Sequence, residues 1–426
     1  MTTEQSFLIE GGNSLHGSVR CSGAKNSILP LVAAAIAVRD VVSFQNVPDI
    51  SDLQSLLTLI QAMGVKLVSF SNGEVVLDTR GPIETRVENT NGYSLRGTQT
   101  LVGALLGREH RAMLPSLGGC SIGARPIDLH IKGLRAMGTQ FEWKDGYLVG
   151  QAKALKACDV YLDFPSVGAT ENLLLAAALA EGTTRVFNAA QEPEVYDLIS
   201  FLNKAGARIV PVFPFGFRIE GVAQLHGASH RIIGDRIEAS TLMMATAITQ
   251  GEATITGIDV RHIWSIVAKL RETGAVVEVK GDDAVVVKGV PGYRSTDIRT
   301  LTFPGYPTDA QPQMTAYLTL AHGNSVVVES IFENRFGAIL ELERMGARIK
   351  VAEETAIIEG VESLNSATVQ AKDLRGGAAL VLAGLAAHGT TTVKSIHHID
   401  RGYEALDGKL SQLGAHVTRV NQPEVS

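Results

Sequence analysis

Leu59–Val68 reads LIQAMGVKLV, and the phrase returns five times: LRAMGTQFEW at Leu134–Trp143, LNKAGARIVP at Leu202–Pro211, LRETGAVVEV at Leu270–Val279, LERMGARIKV at Leu342–Val351 and LSQLGAHVTRV at Leu410–Val420. Its glycines, Gly64, Gly138, Gly206, Gly274, Gly346 and Gly414, recur at steps of 68 to 74 residues. A helix ends most cheaply on a glycine in the left-handed region, and the β-rich run that follows reads as a strand. A second phrase keeps the same step: an alanine-rich helix, a glycine and a short strand, at Gly182 (EGTTRVF), Gly251 (QGEATIT), Gly323 (HGNSVVV) and Gly389 (HGTTTVK). AVRDVVSF and GREHRAML hold the corresponding places earlier. Each unit therefore reads strand–helix–strand–helix–strand–strand, and the chain holds six of them.

The two helices of a unit differ. The one before the repeat glycine is amphipathic, with Leu53, Leu56, Leu57, Ile60 and Met63 at helical spacing. The other is apolar nearly all round, as in LPLVAAAIAV, NLLLAAALAE and ALVLAGLAAH, and such a helix is buried on all sides. A solenoid is the alternative architecture, but its repeats usually run to about 20–45 residues. The spacing predicts an α/β (α+β) protein of two globes, each with three βαβαββ units wrapped outside three buried helices. One domain is expected over residues 22–233, and the second over 1–21 plus 234–426. QLHGASHRIIGDRIEAS marks the split. An N-terminal hairpin, FLIEGG then SVRCS, is expected to complete the second domain, whose last unit lacks a partner strand. Two short crossings make a hinge, and a ligand cleft between the domains is expected.

Composition narrows the function. Of 426 residues, 45% are apolar and 19% charged, as in an ordinary globular protein. Lysine and arginine number 38 against 44 acidic residues, a net charge of −6 that argues against nucleic acid as a partner. A few converging arginines still suffice for a small anion. Three cysteines make no disulfide framework and point to a reducing compartment. No apolar run of about 18 residues predicts a membrane span, and MTTEQSFLIEGG is too polar for a signal peptide. A cytoplasmic enzyme is the expectation. Without an HExxH, a CxxC pair, clustered histidines or a strand–GxGxxG, neither a metal nor a dinucleotide cofactor is expected.

Four groups of residues stand out. Ser22-Gly23-Ala24-Lys25-Asn26 puts small residues and a cation at a helix start, which suits an anion; a solvated lysine at a cap is the plainer alternative. Leu117-Gly118-Gly119-Cys120-Ser121-Ile122-Gly123-Ala124-Arg125-Pro126 places a cysteine in a glycine-rich loop, where Arg125 would favour the thiolate; otherwise Cys120 is a bystander, and Cys21 and Cys158 read as structural. Phe303-Pro304-Gly305-Tyr306-Pro307-Thr308-Asp309 presents Asp309 before a helix, as a cap or a general base. Finally, Arg96, Arg125, Arg335, Arg375 and Arg401 stand at matched repeat positions. Arginines so placed are surface ion pairs or grip one anionic substrate through bidentate contacts. His397-His398 reads as a strand-end pair.

These motifs, taken with NVPDISD, FPSVGATEN, EGTT…NAAQEPEVYDL, DRIEA, YPTDAQPQ, IFENRF, DLRGGAALVLAG and HIDRGYE, cover nearly the whole chain. It resembles the enolpyruvyl transferases, in particular their sugar-nucleotide branch. The resemblance implies two domains, each of three βαβαββ units, the inside-out α/β barrel. It implies transfer of the enolpyruvyl group of phosphoenolpyruvate to the 3-hydroxyl of UDP-N-acetylglucosamine, with loss of phosphate through a tetrahedral intermediate, as the first committed step of peptidoglycan synthesis.

By the same resemblance, Cys120 matches the acid at the phosphoenolpyruvate methylene and Asp309 the base at the sugar hydroxyl. Lys25 matches the lysine at phosphoenolpyruvate, with Asn26 beside the sugar. Arg125 and Arg401 match residues at its phosphate and carboxylate, joined by Arg96 and Arg375. Arg125, Pro126, Ile127, Leu129 and Ser166-Val167-Gly168 match the uridine and diphosphate cradle. Ile331 matches a uracil or sugar contact, and Asp235 and Glu192 match acidic residues near the site. The chain departs from the family pattern at Leu117, at Gly97-Thr98-Gln99, at Gly376-Gly377 and at Glu238–Thr241. The alternatives are a paralogue that uses another acceptor, such as a uridine nucleotide, and a silent sugar-nucleotide sensor.

Overall fold

The computed structural model describes residues 3–87, 96–115 and 127–423. Their backbone follows the repeat. All six repeat glycines lie in the left-handed region, with φ between 93° and 106°. The helices they end are Ser51–Ala62, Asp128–Ala136, Pro193–Lys204, Trp264–Glu272, Ile339–Arg344 and Leu406–Gln412. In the second phrase, Gly182, Gly323 and Gly389 are also left-handed. In the fourth unit Gln250 takes that conformation instead, at φ 55°. Gly251 is needed there for space, since a Cβ would lie 2.0 Å from the Leu15 carbonyl oxygen.

The described residues fall into two compact units. The first comprises residues 23–87, 96–115 and 127–233. Its three apolar helices, Lys25–Ala37, Leu101–Glu109 and Val167–Ala177, pack on one another. Ile28, Leu31, Leu105, Leu173 and Leu174 are fully buried among them, each such side chain contributing about 1.5–3 kcal/mol. Three sheets surround this core. Val41–Gln45, Glu74–Asp78 and Lys66–Ser71 form one, and Arg111–Pro115, Tyr147–Gln151 and Gln140–Lys144 the next. The third holds Thr183–Phe187, Gly216–Glu220 and Arg208–Val212 with Asp159–Tyr161 parallel at its edge. Ser229–Arg231, from the end of the third repeat, returns to lie parallel to Val41–Gln45, so the last repeat closes on the first.

The second unit comprises residues 3–22 and 234–423. Helices Arg236–Ile248, Gln311–Leu318 and Leu374–Ala386 form its core. The N-terminal segment corrects one expectation: it is no hairpin. Thr3–Glu10 inserts antiparallel between Thr390–Lys394 and His416–Pro423, filling the strand position that the sixth repeat lacks. His16–Arg20 joins a different sheet, parallel to Glu252–Thr256. Its polar turn thus carries the chain from one sheet to another. Ser22, at the end of this segment, is tied down at several points: its amide donates to Glu238 Oε2 at 3.2 Å, Lys409 Nζ donates to its Oγ at 2.7 Å, and its hydroxyl donates to Glu404. Lys409 also pairs with Glu238, whose carboxyl burial pushes up to about 7 against the pull of that lysine. The histidine pair is likewise no strand end, since His397–Asp400 is a helical turn.

Candidate active site

In the first unit Lys25 opens its helix directly after a close backbone approach. A Cβ on Gly23 would stand 1.7 Å from the Asn46 carbonyl oxygen, so only glycine fits there. Lys25 Nζ lies 3.3 Å from Asp52 Oδ2, with side-chain exposures of 15% and 10%. The lysine is therefore held by a partner on helix Ser51–Ala62 rather than standing as a solvated cap. Asn26 follows, half-buried. Arg96 begins the 3-10 turn Arg96–Thr100 that leads into helix Leu101–Glu109. Cys120, Arg125 and Pro126 lie outside the described residues.

Ile127 immediately precedes helix Asp128–Ala136, and Leu129 is half-buried in its first turn. Ser166 caps helix Val167–Ala177, its hydroxyl accepting from the Ala169 amide at 3.3 Å. Val167 and Gly168 lie in the first turn of that helix, and this turn holds no acidic residue, which suits the N-terminus to an anion. The two helices pack together. His130 presses its ring against Gly168, where a Cβ would lie 3.0 Å from Cε1. Asn172 binds these parts together: its Oδ1 accepts from the Gly103 amide at 2.5 Å, and its Nδ2 donates to the Gln99 carbonyl at 2.9 Å and approaches His130 Nδ1 at 2.8 Å. Glu192 stands buried before Pro193 and helix Pro193–Lys204. With Glu194 it helps raise the carboxyl of Glu171, whose main cause is burial.

Burial holds the His130 imidazole down to about 4, against the opposing field of Asp128. An amide donor at Nδ1 also requires that nitrogen to be unprotonated. Because the folded value lies below the usual 6.5, the neutral ring's contribution is complete above that pH and is lost as pH falls through about 4. Urea unfolding should show wild-type stability dropping by about 3 kcal/mol relative to His130→Gln between pH 7 and pH 4. A difference that does not change with pH would contradict this.

In the second unit Asp309 lies in the 3-10 turn Thr308–Ala310, ahead of helix Gln311–Leu318. That helix has no side-chain cap, so the capping alternative is excluded. Asp309 Oδ1 accepts from Arg335 Nη2 at 2.8 Å, and Oδ2 from Arg375 Nη2 at 3.1 Å. Both arginine side chains are 3% exposed, against 24% for Asp309. Among the described residues, Nε and Nη1 of Arg375 and Nε of Arg335 are buried without a hydrogen-bond partner. Burial works against the charge of Arg375, yet Asp309, Tyr403 and Asp235 hold its guanidinium above the ordinary value. The guanidinium stands 5.2 Å over the Tyr403 ring. Gln313 Nε2 donates to the Asp309 carbonyl at 3.0 Å and to the Tyr403 hydroxyl at 3.0 Å, fixing the turn from below.

Arg375 enters in the first turn of helix Leu374–Ala386, capped by Asp373 through the Arg375 and Gly376 amides. Asp235 likewise caps Arg236–Ile248, its Oδ1 accepting from Ile237 and Glu238. Arg401 ends the turn His397–Asp400. Arg419 grips Asp400 with two bonds of 2.7 and 2.9 Å and holds that turn to the last strand. Ile331 follows strand Asn324–Val328, its amide bound to Glu329.

The second unit thus brings Asp309, Arg335 and Arg375 into one cluster, and the first brings the helix starts of Ile127 and Ser166 together through His130 and Asn172. Asp52, Glu329 and Tyr403 were not singled out in the sequence, although Asp52 lies within NVPDISD and Tyr403 within HIDRGYE. Cys21 and Cys158 have thiols that burial pushes up, in keeping with structural roles. Among the described residues no His, Cys, Asp and Glu group fit for a metal ion occurs, and no helix is long and apolar enough to cross a membrane.

The sequence pattern of the family described as EPSP synthase (3-phosphoshikimate 1-carboxyvinyltransferase) matches residues 9–410. UDP-N-acetylglucosamine 1-carboxyvinyltransferase 2 of Carboxydothermus hydrogenoformans is 47% identical over 98% of this chain and 100% of its own. The protein of the same name from Bacillus subtilis is 45% identical over 96% of each. Among solved structures, the enolpyruvyl transferase NikO from Streptomyces tendae superposes with a TM-score of 0.89 at 27% identity, covering 99% of this chain and 100% of that one.

Proposed function

We propose that this chain, which belongs to the EPSP synthase family of enolpyruvyl transferases, transfers the enolpyruvyl group of phosphoenolpyruvate to the 3-hydroxyl of UDP-N-acetylglucosamine and releases phosphate. This begins peptidoglycan precursor synthesis, and the protein works in the cytoplasm. The observation that carries the reading is full-length likeness to carboxyvinyltransferases named for that sugar nucleotide. The carboxylate held between Arg335 and Arg375 supplies the base such a reaction needs.

The hydroxyl oxygen adds to C2 of phosphoenolpyruvate while its proton passes to Asp309. Cys120 gives a proton to the methylene carbon, and the result is a tetrahedral intermediate. Loss of a proton from the new methyl group and departure of phosphate regenerate the double bond, now as an enol ether on the sugar. A carboxylate oxygen has two lone pairs, so Asp309 keeps its arginine bonds while it accepts the proton. Phosphoenolpyruvate is a multiple anion, and Lys25, Arg125, Arg375 and Arg401, with Arg96, supply its countercharge. Groups oriented before the charge develops contribute the largest share of such catalysis. Asn26 orients the sugar, and Ile127, Leu129, Ile331, Pro126 and the amides at Ser166-Val167-Gly168 hold the nucleotide. Asp235 and Glu192 shape its surroundings.

Phosphate release from phosphoenolpyruvate tests the proposal, with UDP-N-acetylglucosamine, UMP and 3-phosphoshikimate as separate acceptors. Release with the sugar nucleotide alone is expected. Release only with UMP would assign the protein to the paralogue reading, and silence with all three would leave a sugar-nucleotide sensor.

A further inference from the structure

Glu329 lies just past strand Asn324–Val328 and is 1% exposed. Four donors reach its carboxylate, three at Oε1 and one at Oε2. Oε1 accepts from Thr300 Oγ1 at 2.9 Å, the Ile331 amide at 2.9 Å and the Phe332 amide at 3.1 Å. Oε2 accepts from Thr308 Oγ1 at 3.0 Å. An ionised carboxylate offers about four lone-pair sites, and a buried one is tolerable only when such bonds are made. The donors come from three separate places. Thr300 follows strand Ile298–Arg299, Thr308 begins the turn that carries Asp309, and Ile331 and Phe332 begin the IFENRF segment that carries Arg335. Thr300 also receives the Ser330 amide at 2.9 Å, which closes the set.

We propose that Glu329 is a positioning residue for catalysis. It fixes the Asp309 turn through Thr308 and the Ile331 segment through two amides, and so sets the base in register with the segment that meets the nucleotide sugar. The inference rests on the reading of Asp309 as the base. Arg335 and Arg375 orient the Asp309 carboxylate through its two oxygens, and the Glu329–Thr308 bond fixes the backbone that presents it. Hydrogen bonds to a carboxylate are about twice as strong as those between neutral groups. A displacement of about 1 Å at a reacting group costs on the order of a hundredfold in rate.

Thr308→Val removes one bond of the set and keeps the side chain's shape, and Thr308→Ser restores the hydroxyl. With phosphoenolpyruvate and UDP-N-acetylglucosamine as substrates, Thr308→Val should lower kcat by about 10- to 100-fold. The KM for phosphoenolpyruvate should stay within about twofold, since the cations that hold it are untouched. Thr308→Ser should recover kcat to within about threefold of wild type, which a loss of packing alone would not allow. Thr308→Val at the wild-type kcat, or Thr308→Ser as slow as Thr308→Val, would overturn the proposal. A wild-type protein without turnover would refute the enolpyruvyl-transfer reading itself and the positioning role with it, a result distinct from either of those.

Discussion

Asp309→Asn is expected to bind both substrates near wild-type affinity and to lose turnover by about a thousandfold or more. The substitution is nearly isosteric. Its carbonyl oxygen still accepts from one of Arg335 and Arg375, and the Gln313 bond goes to the Asp309 backbone carbonyl, which is unchanged. The turn Thr308–Ala310 therefore has reason to persist. What disappears is the capacity to take a proton. A positioned general base contributes about 10²–10⁴ in rate, and the new amide group also faces a guanidinium with which it shares no acceptor. Single-turnover kinetics alongside calorimetry of sugar-nucleotide binding separates the two effects. Turnover within about tenfold of wild type would remove Asp309 from the role of base.

Arg375→Lys conserves charge and is nevertheless expected to cost about 10²–10³-fold in kcat/KM. One Nη of Arg375 is committed to Asp309, while Nε and Nη1 are buried without a partner among the described residues. A planar fork serves a carboxylate and a second anion at once; a single ammonium on a flexible stem does not. Truncating one partner of a buried, hydrogen-bonded charge pair costs about 2–5 kcal/mol, and lysine retains part of that. Initial rates over a range of phosphoenolpyruvate concentrations provide the measurement. A loss below about fivefold would show that charge alone is sufficient and that the fork is idle.

The repeat was legible because its signals are local. A glycine that ends a helix in the left-handed region does so within its own turn, and the six positions from Gly64 to Gly414 each adopt that geometry. The apolar helices were legible for a similar reason, since a helix without a polar face has only one place to go. Pairing over long sequence distances was less so. FLIEGG and SVRCS look like a hairpin because they are adjacent and β-rich. The first strand instead answers a vacancy created by the sixth repeat, some 380 residues away in sequence, and the second answers one in the fourth. The same limit applies to the site. Asp309 before a helix reads as a cap or a base, and no local signal places Arg335 and Arg375 on its two oxygens. Glu329 had no motif to announce it, and Asn172, although it closes FPSVGATEN, had no reading of its own. Their importance lies in the separate segments they join, 21 to 29 residues apart for Glu329 with Thr308 and Thr300, and 69 for Asn172 with Gly103.

The most direct measurement is the structure of the product formed from phosphoenolpyruvate and UDP-N-acetylglucosamine, by mass spectrometry and NMR. The account predicts one new species, heavier by a single enolpyruvyl group, with the vinyl ether on the sugar's 3-oxygen and one phosphate released for each molecule made. A product carrying the group at any other position, or phosphate released with the sugar nucleotide recovered unchanged, would contradict it.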